Sequence, residues 1–300
     1  MKYPILHLDL NIEKYDTPDS LDNILDKSLT AWEKLYGAEP SERSFSLRFA
    51  GIIERACKQA GQRVVILVDE YDKPMLQAIG NEELQRQSRN ALKPFYGALK
   101  TMDGCIKFAF LTGVTKFGKV SVFSDLNNLD DISMRKDYVE LCGVSDRELH
   151  DTLDAELHEF ADVRGVTYDK LCTELKECYD GYHFTHNSIG MYNPFSLLNA
   201  FKYKEFGSYW FETGTPTYLV SLLKKHLYDL ERMAHEETDA QVLNSIDSES
   251  TNPIPVIYQS GYLTIKGYDE EFGIYRLGFP NREVEEGFVR FYASLLCECQ

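Results

Sequence analysis

Three hundred residues, 43% of them apolar and 13% aromatic, suffice for one large domain or two ordinary ones and exclude a disordered chain. The 32 basic against 48 acidic residues leave a net charge of -16, which disfavours broad electrostatic binding of DNA or RNA but says little of a small nucleotide held by a metal and a few amides. The seven cysteines are odd in number and show no C-x-x-C spacing; no signal peptide opens the sequence and no apolar run reaches membrane-spanning length, so reduced thiols and a cytoplasmic location are expected.

In chain order, residues 3–10 predict a strand, with Pro4 confined to its entry. A helix follows, with Thr17 as N-cap, Pro18 in its first turn and Gly37 as its stop; Leu21, Ile24, Leu25, Leu29, Trp32 and Leu35 keep helical spacing along it. Residues 41–60 predict a second helix that ends at Gly61. It leads to five consecutive aliphatic residues, Val64, Val65, Ile66, Leu67 and Val68, tipped by Asp69 and Glu70. Such a short run without polar alternation fits a strand of a parallel sheet buried between helix layers. Lys73 and Pro74 break it and begin a helical stretch that continues from Asn81, bent at Pro94, to a third strand over residues 106–111. Strands alternating with helices in this way are the rhythm of a parallel α/β sheet.

From residue 130 the chain reads as mainly helical. Ser145 and Glu148 form a capping box for a helix running to about Ala161. Residues 167–179 form another, stopped at Asp180 and Gly181; Asn193 and Pro194 open a third, and Thr215 and Pro216 a fourth that runs toward His235. Residues 236–251, acidic and polar, read as a solvated helix end and loop. Residues 261–266 and 273–279 predict a β-hairpin, and a last helix starts near Pro280. His183 and His186 lie in an aromatic-rich loop and read as packing residues rather than ligands.

Four hydrophobic residues followed by Asp-Glu match the Walker B pattern of P-loop ATPases. In that chemistry the Asp, here Asp69, holds Mg²⁺ and the Glu, here Glu70, polarises the water that attacks the γ-phosphate. The competing reading is a strand end whose acids are solvated. Thr112, directly after the third strand, stands where a γ-phosphate sensor sits in such ATPases; equally, its hydroxyl can satisfy a loop amide. The stretch from Gly113 to Lys119 matches G-x-x-x-x-G-K, yet three features reject it as a phosphate loop. Val120 stands where a Mg²⁺-binding hydroxyl is needed, the following residues are β-branched and Asn/Asp-rich rather than helix-forming, and the loop comes after the acidic strand. Lys116 and Lys119 remain candidates to approach a nucleotide from the rim.

Several segments together resemble the bacterial AAA-ATPase-like family that is usually fused to a C-terminal PD-(D/E)XK-type nuclease domain. They are YPILHLDL (3–10), VVILVDEYDKPML (64–76), FLTGVTKFGKVSVFSDLNNL (110–129), CYDGYHF (178–184), YNPFSLLN (192–199), YWFETGTP (209–216), QSGYLTIK (259–266) and LGFPNREV (277–284). The resemblance implies a P-loop NTPase-type parallel sheet over residues 1–129, here without its first strand and Walker A loop. A helical lid or regulatory domain over 130–255 and a hairpin and helix over 256–300 would lead on to a further module. It assigns Asp69 to Mg²⁺, and Glu70 and Thr112 to catalysis. ATP and Mg²⁺ are expected only with an upstream Walker A, so hydrolysis by this stretch alone should be weak or absent. A fused nuclease or a protein partner would take the signal. The alternative is a non-enzymatic regulatory or interaction module; a nuclease within these residues is disfavoured by the acidic charge and the lack of an acidic pair followed by E-x-K.

Overall fold

The computed structural model describes residues 2–116, 122–123, 126–212, 236–244 and 252–298. The protein is mixed α/β and divides into two compact units, Met1–Leu129 and a second made of Asp130–Asn244 and Thr251–Gln300.

The first unit carries a parallel sheet of β1 (Ile5–Asp9), β2 (Val64–Asp69) and β3 (Ile106–Leu111), with β2 in the centre. β1 and β2 are in register from Ile5↔Val65 to Asp9↔Asp69; β2 and β3 run together to Val68↔Leu111 after a shift near Val64. Leu6, Leu8, Val64, Ile66 and Val68 are buried on one face. Val65 and Leu67 on the other are half-buried, and their neighbours Ile5, His7 and Phe108 are exposed, so the sheet is not sandwiched evenly as its apolar run suggests. Five aliphatics in a row fit a strand covered on one face as well as one covered on two; the run fixes the strand but not the layers.

Helices α1 (Pro18–Tyr36), α2 (Phe45–Ala60) and α4 (Glu82–Thr101) pack on one another, and α2 meets β2. Trp32, Phe49 and Phe95 stack in sequence, with ring centroids 5.8 and 4.5 Å apart. Arg48 joins α2 to α1 through Glu33 at 2.7 Å and Asp26 at 2.5 Å. The Thr17 side chain bonds to Ser20 Oγ instead of capping a backbone amide. α2 starts at Phe45 rather than residue 41, because Ser44 accepts from the Leu47 amide and ends the preceding turn. Before α4, Lys73–Gln77 forms the short α3, and Asn81 caps α4 through the Leu84 amide.

In the second unit, β4 (Val144–Ser145) pairs with β5 (Met191–Tyr192). Helices α5 (Asp146–Thr152), α6 (Asp154–Arg164), α7 (Tyr168–Tyr179) and α8 (Pro194–Tyr203) share a core of Leu149, Leu157, Phe160, Leu171, Leu175, Tyr179 and Leu197. The capping box at Ser145 forms as read, but the helix it opens breaks at Leu153 (φ -117°, ψ 21°). Leu149, Leu153, Leu157 and Phe160 keep one spacing across the break, so periodicity cannot reveal it. The short α9 (Tyr209–Glu212) follows; the helix read from Thr215 to His235 lies outside the described residues.

Residues 236–244 are not a solvated loop. Glu237–Asp239 forms β6, which pairs with β8 (Ile274–Gly278), and Ala240–Asn244 forms α10 with Leu243 buried. An open strand edge needs partners for its amides, and a three-residue strand with Thr238 turned inward supplies them despite its polar composition. β7 (Thr264–Asp269) completes the antiparallel sheet in the order β6-β8-β7. It extends past Gly267 through a bulge, where a Cβ on Gly267 would meet the Arg276 guanidinium at 2.7 Å. α11 (Ile254–Gln259) and α12 (Arg282–Glu298) close this second core. Among the described residues, no helix is long and apolar enough to cross a membrane, and Cys57, Cys105, Cys142, Cys172 and Cys178 are free thiols.

Candidate functional site

Ligands of open parallel sheets bind beyond the carboxyl ends of the strands. At that end of the first unit, the loops after β1, β2 and β3 meet around the tip of β2. Asp69, its last residue, is exposed, and Thr112 is the first residue past β3. The Thr112 hydroxyl donates to Asp69 Oδ1 at 2.5 Å, and its amide continues the ladder by donating to the Val68 carbonyl at 2.9 Å. The two residues singled out from separate strands are thus in direct contact.

Glu70 follows with φ at 56°, the left-handed region that a non-glycine residue enters at a cost. Its half-buried carboxyl is raised above its ordinary range, first by burial and then by the negative charges of Asp72 and Asp69, with Lys73 opposing them. Lys73 itself donates to the Asn11 carbonyl and to Asn11 Oδ1 at 2.8 Å, and the Asn11 amide donates to Asp9 Oδ1 at 2.8 Å. These bonds tie the loop after β1 to the loop after β2. The Leu10 amide, which donates to the Asp69 carbonyl at 3.1 Å, reinforces the tie.

Sequence reasoning quoted Asp72 within a motif but gave it no role. It is fully buried, and its carboxylate accepts from the Val114 amide at 3.2 Å and from the Thr115 amide and hydroxyl at 2.6 Å each. Burial raises its pKa, while those three bonds oppose the rise. The signal available was positional: an acid three residues beyond the strand tip, with small and hydroxyl residues, Thr112, Gly113 and Thr115, past the neighbouring strand. Lys116 follows Thr115 and is described; Lys119 and Val120 lie outside the described residues.

Asp69 and Glu70 provide two carboxylates at the tip, and among the described residues no group of three or more His, Cys, Asp or Glu side chains is arranged to hold a metal ion. Such a donor set suits Mg²⁺, which keeps water and substrate phosphates as most of its ligands and takes only one or two carboxylates from protein. It does not suit an ion that requires a full protein cage.

Residues 1–123 match the model of the AAA-ATPase-like family, described as predicted AAA-ATPase. These 123 residues belong to the AAA-ATPase-like family. The family match includes all three strands of the parallel sheet, Asp69, Glu70, Asp72 and Thr112. A protein of Azotobacter chroococcum mcd 1, named as an uncharacterized protein in the vnfD 5' region, is similar, with 36% identity over 287 residues. The alignment covers 95% of this chain and 53% of that relative, so the chain spans about half the length of the curated relative it matches. No solved structure matches it.

Proposed function

We propose that the first unit is the hydrolytic half of a P-loop ATPase site, completed by a phosphate-binding loop from polypeptide outside these 300 residues. The observation that carries this reading is the 2.5 Å contact of Thr112 with Asp69 beside Glu70, at the carboxyl end of the central parallel strand. Asp69 would hold Mg²⁺ through its exposed carboxylate. Glu70, whose carboxyl burial and the neighbouring acids raise above its ordinary range, would orient and deprotonate the attacking water. Thr112 would sense the γ-phosphate by exchanging its bond to Asp69 for one to phosphate oxygen. Bound Mg²⁺ supplies charge neutralisation for the departing phosphates. Lys116 and Lys119 would approach the nucleotide from the rim. The phosphate grip is missing within the sequence, since its one G-x-x-x-x-G-K stretch continues with Val120. Hydrolysis by these residues alone should therefore be weak or absent. The second unit would pass the nucleotide state to a protein partner or to a fused nuclease.

The test is Mg-ATP binding and turnover by this chain and by a form extended upstream, each compared with Glu70→Gln. The extended form should hydrolyse ATP, and Glu70→Gln should bind it while losing turnover by orders of magnitude. If the extended form binds ATP without hydrolysing it and Glu70→Gln changes nothing, the ATPase reading fails. The competing reading is a non-enzymatic interaction module. It draws on the same bonds, because Asp69 and Asp72 already serve as acceptors within the fold, and it requires indifference to ATP in both forms.

A further inference from the structure

Two strand-end loops are fastened together at one buried point. Asp72 has no exposed surface, and three donors of the loop after β3 meet its carboxylate. An ionised carboxylate in such a place is stable only while its hydrogen bonds are intact. That loop also passes very close by. A Cβ on Gly113 would lie 2.3 Å from Asp72 Oδ1, so any side chain there would force the two apart. Tyr71 adds two bonds in the opposite direction: its amide donates to the Thr112 carbonyl at 2.9 Å and its hydroxyl to the Thr115 carbonyl at 2.6 Å. Asp69, at the end of β2, and Thr112, at the start of the loop after β3, face each other beside this fastening.

We propose that Asp72 is a positioning residue: its carboxylate latches the loop after β3 to the loop after β2 and so sets the Thr112 hydroxyl against Asp69. The purpose of the latch rests on the ATPase reading above, but its existence does not. The latch gives the sensor one orientation before any ligand arrives, as preorganised sites require. It also makes the sensor answerable to both loops, since a shift of either one moves donor and acceptor together.

The experiment uses the whole chain in two arms. In the first, three-bond couplings report the Thr112 side-chain rotamer, and hydrogen exchange reports the Val114 and Thr115 amides, without nucleotide. Asp72→Asn should speed exchange of both amides roughly tenfold or more, the equivalent of one or two lost hydrogen bonds, and turn a single Thr112 rotamer into an average. Thr115→Val, which removes one donor and leaves the carboxylate in place, should do the same to a smaller degree, and Thr115→Ser should restore the wild-type pattern. In the second arm, Mg-ATP turnover by the upstream-extended form is measured for Asp72→Asn, Thr112→Val and the pair. Because Asp72 acts through Thr112, the pair should lose no more than Thr112→Val alone. If Thr112 keeps its single rotamer in Asp72→Asn and Thr115→Val, or if the paired losses multiply, the positioning role is overturned. If the extended form neither binds nor hydrolyses ATP, the ATPase reading falls, while the first arm still decides the latch.

Discussion

Replacing Glu70 separates what the site needs from what the fold prefers. Its backbone sits at φ 56°, where a side chain costs about 1–2 kcal/mol relative to glycine, and glycine's looser unfolded chain returns about 0.4–1 kcal/mol of that gain. Glu70→Gly should therefore stabilise the first unit by about 0.5–1 kcal/mol from the backbone alone. A second contribution comes from charge. The Glu70 carboxyl is raised by burial and by Asp72 and Asp69, so the native state holds its proton more tightly than the unfolded chain does. Ionisation of Glu70 thus weakens the fold as pH rises above 4.5, the ordinary value of a glutamate, and this weakening is absent below it. Glu70→Gln keeps the strained backbone and removes the charge, so its gain should be present at pH 7 and vanish below pH 4.5; the backbone gain of Glu70→Gly should persist at both. The chain has two tryptophans, Trp32 in the first unit and Trp210 in the second, so urea unfolding followed by Trp32 fluorescence in a Trp210→Phe background reads the first unit. Both variants should lose ATP turnover in the extended form. If both destabilise at pH 7, Glu70 is a structural anchor and not a carboxylate held in place against the preference of the fold.

Three further outcomes are expected. Gly113→Ala should cost about 1–3 kcal/mol, because its Cβ meets Asp72 Oδ1 at 2.3 Å, and less when Asp72 is also replaced by alanine; denaturant midpoints of the four forms give the coupling. Arg48→Met should cost about 1–3 kcal/mol by stranding Glu33, whose side chain is 16% exposed, and the double variant with Glu33→Leu should recover most of the loss in thermal unfolding. In the second unit, Glu283 is buried and its carboxyl is raised by burial, although it accepts from the Trp210 amide at 2.8 Å. Wild-type stability of that unit should fall as pH climbs above 4.5, and Glu283→Gln should flatten the slope, as read by Trp210 fluorescence in a Trp32→Phe background.

The parts of the fold legible in the sequence are those where a single physical cause acts locally. The aliphatic run before Asp69 and residues 106–111 are strands at the places their composition indicates, and Ser145, Thr167 and Asn193 cap the helices that follow them. What escaped was set by partners distant in sequence. β6 exists because β8 offers an edge 35 or more residues downstream, and of its own residues only Thr238 favours a strand, flanked by Glu237 and Asp239, which do not. The even burial read from β2 failed for the same reason, since a strand cannot show which of its faces a helix will cover. At the site, Asp69, Glu70 and Thr112 were visible through motif and spacing, whereas Asp72 became visible only once the loops after β2 and β3 lay side by side.

That pairing of loops bears on whether the acids at the tip of β2 are incidental. A strand end whose carboxylates merely meet solvent has no need to bury one of them, nor to hold another in left-handed backbone beside two like charges. Here Asp72 is buried at a desolvation cost that three hydrogen bonds offset, and Glu70 keeps a conformation worth about 1–2 kcal/mol of strain. Local strain persists where surrounding structure over-determines it, and such places cluster at sites that act on a ligand. The bonds supplying that restraint converge on the segment between Asp69 and Lys73. On one side they run from Lys73 to Asn11, and on the other from the Val114 amide and the Thr115 amide and hydroxyl to Asp72. A fold selected for stability alone would place glycine at position 70; the strain carried there is what the ATPase reading would explain and the solvated strand end does not.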